Sequence, residues 1–254
     1  MVSVIIPCHN NKKTIDAAVR SVLSQTVKDI ELIIVDNGSE AASEDGAGNY
    51  SSELYTDPRI RLVVTDKAMG AATARNKGIE LSRGQYIAFL DADDMWREDK
   101  LDKQIKVMER YTYNGEYPII CFTGREMIDE EGNSLDRYIG CEKTVNYDKL
   151  LLSNQINCSS VLVRKEDIEK YMFTDGDFHE DYALWLEMLK EGGYAAGINR
   201  PLISYRVSSG SKSGNKIKSA MMTYKVYRFI GLGIPKSMVH MISYTVKGIK
   251  KHFA

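Results

Sequence analysis

Between residues 1 and 111, short apolar runs alternate with stretches of helical spacing, and no other feature narrows the fold of this chain as far. Residues 2–6 read as a strand that Pro7 stops. Ile15, Ala18, Val19, Val22 and Leu23 then recur along one helix face. Residues 31–35, 60–64 and 85–90 are further strands, and 70–82 and 97–111 are helices, the last with Leu101, Ile105 and Met108 on one side. Residues 40–58 are small and polar and read as a loop with one helical turn. Alternation of this kind predicts an α/β fold: a Rossmann-like, mostly parallel sheet with helices on both faces. No G-x-G-x-x-G follows the first strand, and there is no G-x-x-x-x-G-K-[ST] loop. A nucleotide bound here would be held by acidic groups and strand-end loops rather than by glycine nests.

Beyond residue 117 the pattern becomes mixed. Residues 119–122 and 159–163 are expected strands, 130–133 the turn of a hairpin, and 147–152 a short helix. Residues 180–191 form a helix with Leu184, Trp185 and Met188 on its apolar face, ended by Gly192 and Gly193. Two short strands, 194–198 and 202–206, flank Pro201. A Ser/Gly/Lys loop at 208–215 leads to two helical stretches. Their apolar stripes are Ile217, Ala220, Met221 and Tyr224, then Met238, Met241, Ile242, Thr245 and Ile249; His240, Lys247, Lys250 and Lys251 lie off the second stripe. The organisation is thus 1–111 as a nucleotide-binding half, 112–213 as the acceptor-binding half of the same domain, and 214–254 as a basic amphipathic helical tail.

Charge follows these divisions. The whole chain carries a formal −1, yet from residue 192 to the end there are 11 Lys and Arg and no Asp or Glu. An acidic body with a basic tail suggests that the tail meets an anionic partner. Cys8, Cys121, Cys141 and Cys158 show no C-x-x-C spacing, which suggests reduced thiols rather than a zinc site or a disulfide frame. No signal peptide is expected at the N-terminus, and no apolar run approaches the ~18 residues of a membrane span.

Three groups of residues carry candidate chemistry. Asp91, Asp93 and Asp94 follow the fourth strand, where ligands of open α/β sheets bind. Packed carboxylates repel one another, and a hard divalent cation carrying phosphate oxygens relieves that repulsion; taken alone the run reads as a solvated acidic turn. Asp36 closes the second strand and alone reads as an Asx-turn before Asn37 and Gly38. Arg75 sits on the helix between them, where a cation would offset the charge of an arriving nucleotide. Glu180 and Asp181 follow His179 at the start of a helix, where the macrodipole favours acids. Alone they cap a helix; facing a cleft, a carboxylate there takes a proton from an attacking hydroxyl.

In order, Val2-Ser-Val-Ile-Ile-Pro7 with Asn10, Val35-Asp-Asn-Gly-Ser39, Ala74-Arg-Asn76 with Gly78, Leu90-Asp-Ala-Asp-Asp94, His179-Glu-Asp181 and Tyr205-Arg206 resemble the inverting family 2 glycosyltransferases of bacterial surface-polysaccharide synthesis, which have the GT-A fold. The resemblance covers about residues 2–213. It implies transfer of a sugar from a nucleoside diphosphate sugar, by default UDP-linked, to a glycan or lipid-linked acceptor. Asp36 would contact the base, Arg75 and Asn76 would lie near the nucleotide and its phosphates, Asp91 near the ribose, and Asp93 would hold Mn²⁺ or Mg²⁺. Asp181 would be the catalytic base, with Glu180 beside it contacting a sugar, and Pro7 would open a loop lining the nucleotide pocket. Two positions depart from the pattern. Asn37 stands where members often have a second Asp, and Ser208 where many carry a loop histidine; Lys212, Ser211 or Ser213 could replace the latter. A cytoplasmic enzyme is expected, peripheral on the inner face of the cell membrane through 215–254, with a homodimer as a further partner and no nucleic acid. The alternatives are a sugar-phosphate nucleotidyltransferase, which would need a Gly-rich basic loop after the first strand, and a degenerate protein that binds a sugar nucleotide without catalysis.

Overall fold

The computed structural model describes residues 1–39, 56–207 and 216–253. The expected loop at 40–58 therefore falls largely outside the described residues, and that at 208–215 wholly so. In the N-terminal half the strands are β1 (Val2–Cys8), β2 (Ile30–Asn37), β3 (Ile60–Thr65), β4 (Tyr86–Phe89) and the two-residue β5 (Met95–Trp96). Between them lie α1 (Ile15–Leu23) and α2 (Ala71–Leu81), and α3 (Lys100–Arg110) follows. The second half adds β6 (Ile120–Ile128), β7 (Ser134–Ile139), β8 (Thr144–Val145), α4 (Tyr147–Leu152), β9 (Leu162–Arg164), α5 (Lys165–Ile168), α6 (Glu180–Lys190), β10 (Ala195–Arg206), α7 (Lys216–Phe229) and α8 (Ile234–Phe253). The strands form one sheet in the order β3-β2-β1-β4-β9-β6-β10-β5, with β7 beside β6 and β8 beside β10. The long pairings β1–β2, β2–β3 and β6–β10 are parallel, and short antiparallel contacts through β9 join the two halves.

The α/β sheet predicted from the alternation is present, and the second half extends it. One side is sealed by α1 and α3 through Ile15, Val19, Val22, Leu101 and Met108. The other packs against α2, α4, α6 and α7, with the fully buried Trp185 and Tyr182 at its centre. Each large apolar side chain so buried contributes about 1.5–3 kcal/mol.

Several expected boundaries shift, each for a physical reason. Pro7 does not stop β1; it pairs with Val35 inside the strand. Beyond Ile5 the β4 partner has ended, so the missing N–H faces no acceptor on that side. Ser159 and Ser160 form a 3₁₀ turn, Cys158–Ser160, rather than the start of a strand. Their hydroxyls bond to Asp94 and to the carbonyl of Asn157, which competes with strand pairing. Pro201 does not divide two strands: β10 runs through it with register shifts on either side, a bulge that absorbs the absent donor.

The tail stripes are also corrected. On α7 the packed residues are Met222, Thr223, Val226 and Tyr227, while Ile217 is 77% and Met221 59% exposed. On α8 Ser237 is buried and Met241 and Tyr244 pack on the core, whereas Met238 and Ile242 are 52% and 64% exposed. His240, expected off the stripe, lies on the packed side with its ring 5.7 Å from that of Tyr227. Apolar periodicity finds a helix, but here the buried face includes hydroxyls that bond inward: the Tyr227 hydroxyl donates to the Leu151 carbonyl at 2.7 Å. For Thr245, Lys247, Ile249, Lys250 and Lys251 only the helical backbone is described.

Candidate active site

Parallel pairing brings the ends of β1, β2 and β4 to one edge, so residues far apart in sequence converge there. At the end of β2 the buried Asp36 accepts from the Ser39 N–H at 3.0 Å, the Asx-turn read from sequence. Gly38 follows at φ +68°, and a Cβ there would sit 2.3 Å from the Ala68 nitrogen, so only glycine lets the two backbones meet. The Asn10 N–H donates to Ser39 Oγ (3.0 Å), His9 Nδ1 lies 2.9 Å from the Asn37 carbonyl, and the Met69 N–H donates to Asn37 Oδ1 (2.7 Å). Three loops are thereby knit into one wall, with the half-buried Pro7 inside β1 just before it. Asn37 is part of that knitting as an acceptor, a role that an aspartate oxygen would fill as well.

Arg75 is the hub of the centre. It is 5% exposed, and it donates to Asp91 Oδ1 at 2.7 Å and to Glu180 Oε1 at 3.2 Å, with the Phe173 ring 5.4 Å away. The structure thus brings Asp91, Arg75 and Glu180 together from β4, α2 and α6. Asn76 faces elsewhere: its side-chain amide exchanges two hydrogen bonds with the Phe173 backbone, at 2.7 and 2.9 Å, and holds that loop against α2.

The three aspartates differ sharply in environment. Asp91 is partly exposed, and its N–H donates to Ser159 Oγ. Asp94 is 1% exposed; Ser159 Oγ donates to its Oδ2 at 2.6 Å and the Arg206 N–H to its Oδ1 at 2.9 Å. Burial, then Asp93 and Asp91, pushes the Asp94 carboxyl well above the usual range. Asp93 has no hydrogen bond or ion pair from another side chain among the described residues, and burial together with Asp91 raises it too. Arg206 clamps the run from outside, donating to the carbonyls of Asp93 (2.8 Å), Asp129 (2.9 Å) and Glu130 (2.7 Å). Sequence reasoning assigned no role to Ser159 or Arg206 and read Asp94 only as one of three packed carboxylates. Tyr205-Arg206 was a visible motif, whereas a serine at the head of an apolar run carries no signal.

At the start of α6, Asp181 is half-buried and its Oδ1 accepts the Tyr182 N–H at 2.8 Å. Burial and the adjacent Glu180 raise its pKa, against the pull of Arg75 and His179. A raised carboxylate is a stronger base, which suits proton abstraction. His179 Nε2 lies 3.2 Å from Ser219 Oγ, tying this helix start to α7.

The fit of a divalent cation rests on Asp93. It is a hard oxygen donor without a hydrogen bond from another side chain among the described residues, in a cluster where burial first and neighbouring carboxylates second raise the pKa values. No group of three or more His, Cys, Asp or Glu side chains is arranged to hold a metal among the described residues. The chain therefore offers an anchor rather than a cage, as expected where phosphate oxygens complete the coordination.

Comparison with known proteins agrees with this geometry. Residues 3–171 match Glycosyl transferase family 2. The chain is 36% identical over 99% of its length to Bacillus subtilis TuaG, named for teichuronic acid biosynthesis, covering 97% of that protein. It is 34% identical over 99% of its length, and 95% of the relative's, to Escherichia coli WfaP, a UDP-Glc:α-D-GlcNAc-diphosphoundecaprenol β-1,3-glucosyltransferase. Its fold superimposes on residues 1–349 of S. aureus TarS in complex with UDP-GlcNAc with a TM-score of 0.70 at 15% identity, over 94% of this chain and 70% of that one. The fold is GT-A, and the chain belongs to glycosyl transferase family 2.

Proposed function

We propose that this protein is an inverting, metal-dependent glycosyltransferase that moves a sugar from a UDP-sugar to a hydroxyl of a lipid-linked glycan during surface-polysaccharide synthesis. The observation that carries the reading is the pairing of two acidic centres across one guanidinium. Asp91 and Glu180 both bind Arg75, with Asp93 beside the first and Asp181 beside the second. One centre suits a diphosphate and the other a nucleophile. The names of WfaP and of the TarS complex support a UDP-sugar donor, and that of WfaP supports a lipid diphosphate acceptor.

In this reading the wall of Pro7, Asp36 and Ser39 receives the base, and Arg75 and Asp91 lie along the ribose and phosphates. Asn76 acts indirectly, through the Phe173 loop it holds. Asp93 would hold a divalent ion, which would neutralise charge on the leaving diphosphate. Asp181 takes the proton of the acceptor hydroxyl as its oxygen bonds to the anomeric carbon. The carbon–oxygen bond on the opposite face breaks with its electron pair on the diphosphate. A single displacement inverts the centre. Glu180, fixed by Arg75, contacts a sugar hydroxyl.

The test is Asp181→Asn. General-base assistance is worth about 10²–10⁴-fold, so turnover should fall by that factor while UDP binding stays intact. Near-normal turnover would remove Asp181 as the base. The α8 surface serves association with the inner membrane face. No helix among the described residues is long and apolar enough to cross a membrane, while the exposed Ile234, Met238, Val239 and Ile242 offer an interfacial face.

A further inference from the structure

Arg125 on β6 is a cation without an ion pair among the described residues; Asp94, Tyr205 and Tyr244 favour its charge only from a distance. Its Nε is buried without a hydrogen-bond partner, and no carboxylate pairs with its guanidinium among the described residues. Its closest aromatic contact is the Tyr205 ring, 5.5 Å from the guanidinium carbon. Burial draws it below the ordinary arginine range. Arg75, more deeply buried, holds two carboxylates, whereas Arg125 is half-buried and holds none. An enclosed cation without a counter-ion costs stability, and such a cost is tolerated where a ligand supplies the missing charge.

The location narrows the ligand. Glu126, the next residue, turns toward α3 and pairs with Arg97. Arg125 turns the other way, toward Tyr244 on α8, whose ring lies 6.3 Å from that of Tyr182, the residue after Asp181. The guanidinium and the carboxylate assigned as base therefore both lie toward α8. This is the β6–β10 half of the sheet; the donor groups Asp36, Arg75 and Asp91 lie on the β1–β2–β4 half. A guanidinium recognises phosphate through two parallel hydrogen bonds.

We propose that Arg125, backed by Tyr205, receives the phosphate of an anionic, lipid-borne acceptor and so sets the acceptor sugar against Asp181. The inference rests on the glycosyltransferase reading above and adds to it the residue that selects a phosphate-bearing acceptor. An anion at Arg125 also explains why this position keeps a charge at a cost to the fold.

The experiment is calorimetry on the full chain in the presence of UDP and Mn²⁺, with decyl diphosphate as probe and decyl maltoside as neutral control. Wild type should bind the diphosphate. Arg125→Met should weaken that binding by about 10- to 100-fold, the loss of a charge-assisted pair, and should leave the affinity for UDP unchanged. Because the substitution removes a half-buried charge that has no ion pair, its melting temperature should equal or exceed that of wild type. Arg125→Lys, which keeps the charge but not the fork, should fall between the two. Equal binding of decyl diphosphate by wild type and Arg125→Met, or no binding by wild type, overturns the proposal. So does a parallel loss of UDP affinity, which would assign the cation to the donor. Absence of sugar transfer by wild type with intact decyl diphosphate binding would instead overturn the catalytic reading and leave the anion site standing.

Discussion

Asp93 and Asp94 are neighbours with opposite duties, and only their surroundings tell them apart. Asp94 spends both oxygens on Ser159 and Arg206 and fastens the acidic loop to the end of β10. Asp93 spends neither on another side chain among the described residues. Asp94→Asn keeps an acceptor for the Arg206 N–H and presents a donor to Ser159, so turnover should stay within about tenfold of wild type. Asp94→Ala leaves two buried groups unpaired and should lower stability by about 1–3 kcal/mol for each. Asp93→Asn should do the reverse: a carboxylate whose ionised form is disfavoured in the fold is removed, so the melting temperature holds or rises while stimulation by Mn²⁺ disappears. Melting curves and metal titrations of the three variants separate these outcomes. The motif was legible in sequence because three acids after an apolar run are conspicuous. The division of labour was not, because it depends on a serine 65 positions away from Asp94 and a backbone N–H 112 positions away. Asn76 is the same lesson inverted: its place in a motif pointed to the nucleotide, and the fold gave its amide to a loop.

Elements were legible in proportion to their length. α1, α3 and α6 were found by spacing and their ends by glycine and polarity, since each repeats the period two or three times, whereas α4, at six residues, completes less than two turns. β5, two residues long, has no period to detect; it exists because the β10 edge lies beside it. The tail helices were found, but their faces were misjudged, since tyrosine, threonine and serine on a buried face look polar in sequence. That correction sharpens the membrane proposal, because the apolar residues left outside are now named. Met238 and Ile242 lie one turn apart on α8, both exposed. Replacing both by Glu leaves the core untouched, so the melting temperature should not move. Loss of two buried apolar contacts and added repulsion from an anionic leaflet should weaken vesicle binding by about tenfold or more. Co-sedimentation with phosphatidylglycerol vesicles reads this directly, and equal binding by the double variant would remove α8 from the membrane contact.

For the whole molecule, the uncompensated charges make stability depend on pH and on ligand together. Asp93, Asp94 and Asp181 all have raised pKa values. The native state therefore holds protons that the unfolded chain releases at about pH 4, and stability falls as pH rises from there through the raised values. Lys100 adds a second limb. It is fully buried, its ammonium donates to Gln104 at 2.7 Å, and burial lowers its pKa to about 7. The unfolded chain holds that proton up to about pH 10, so Lys100 makes stability climb from about 7 until about 8.5, where the unfolded chain begins to release the thiol protons that buried Cys121 and Cys158 keep; Lys100→Met should show no such climb. A cation with UDP acts on the first limb alone, because it favours the ionised carboxylates. The rise in melting temperature on adding Mn²⁺ and UDP should be small near pH 4, grow toward pH 7, and be the same in wild type and Lys100→Met. An increment that does not change with pH would mean that the ligand draws nothing from the aspartate cluster. The metal would then have to be anchored elsewhere than on Asp93.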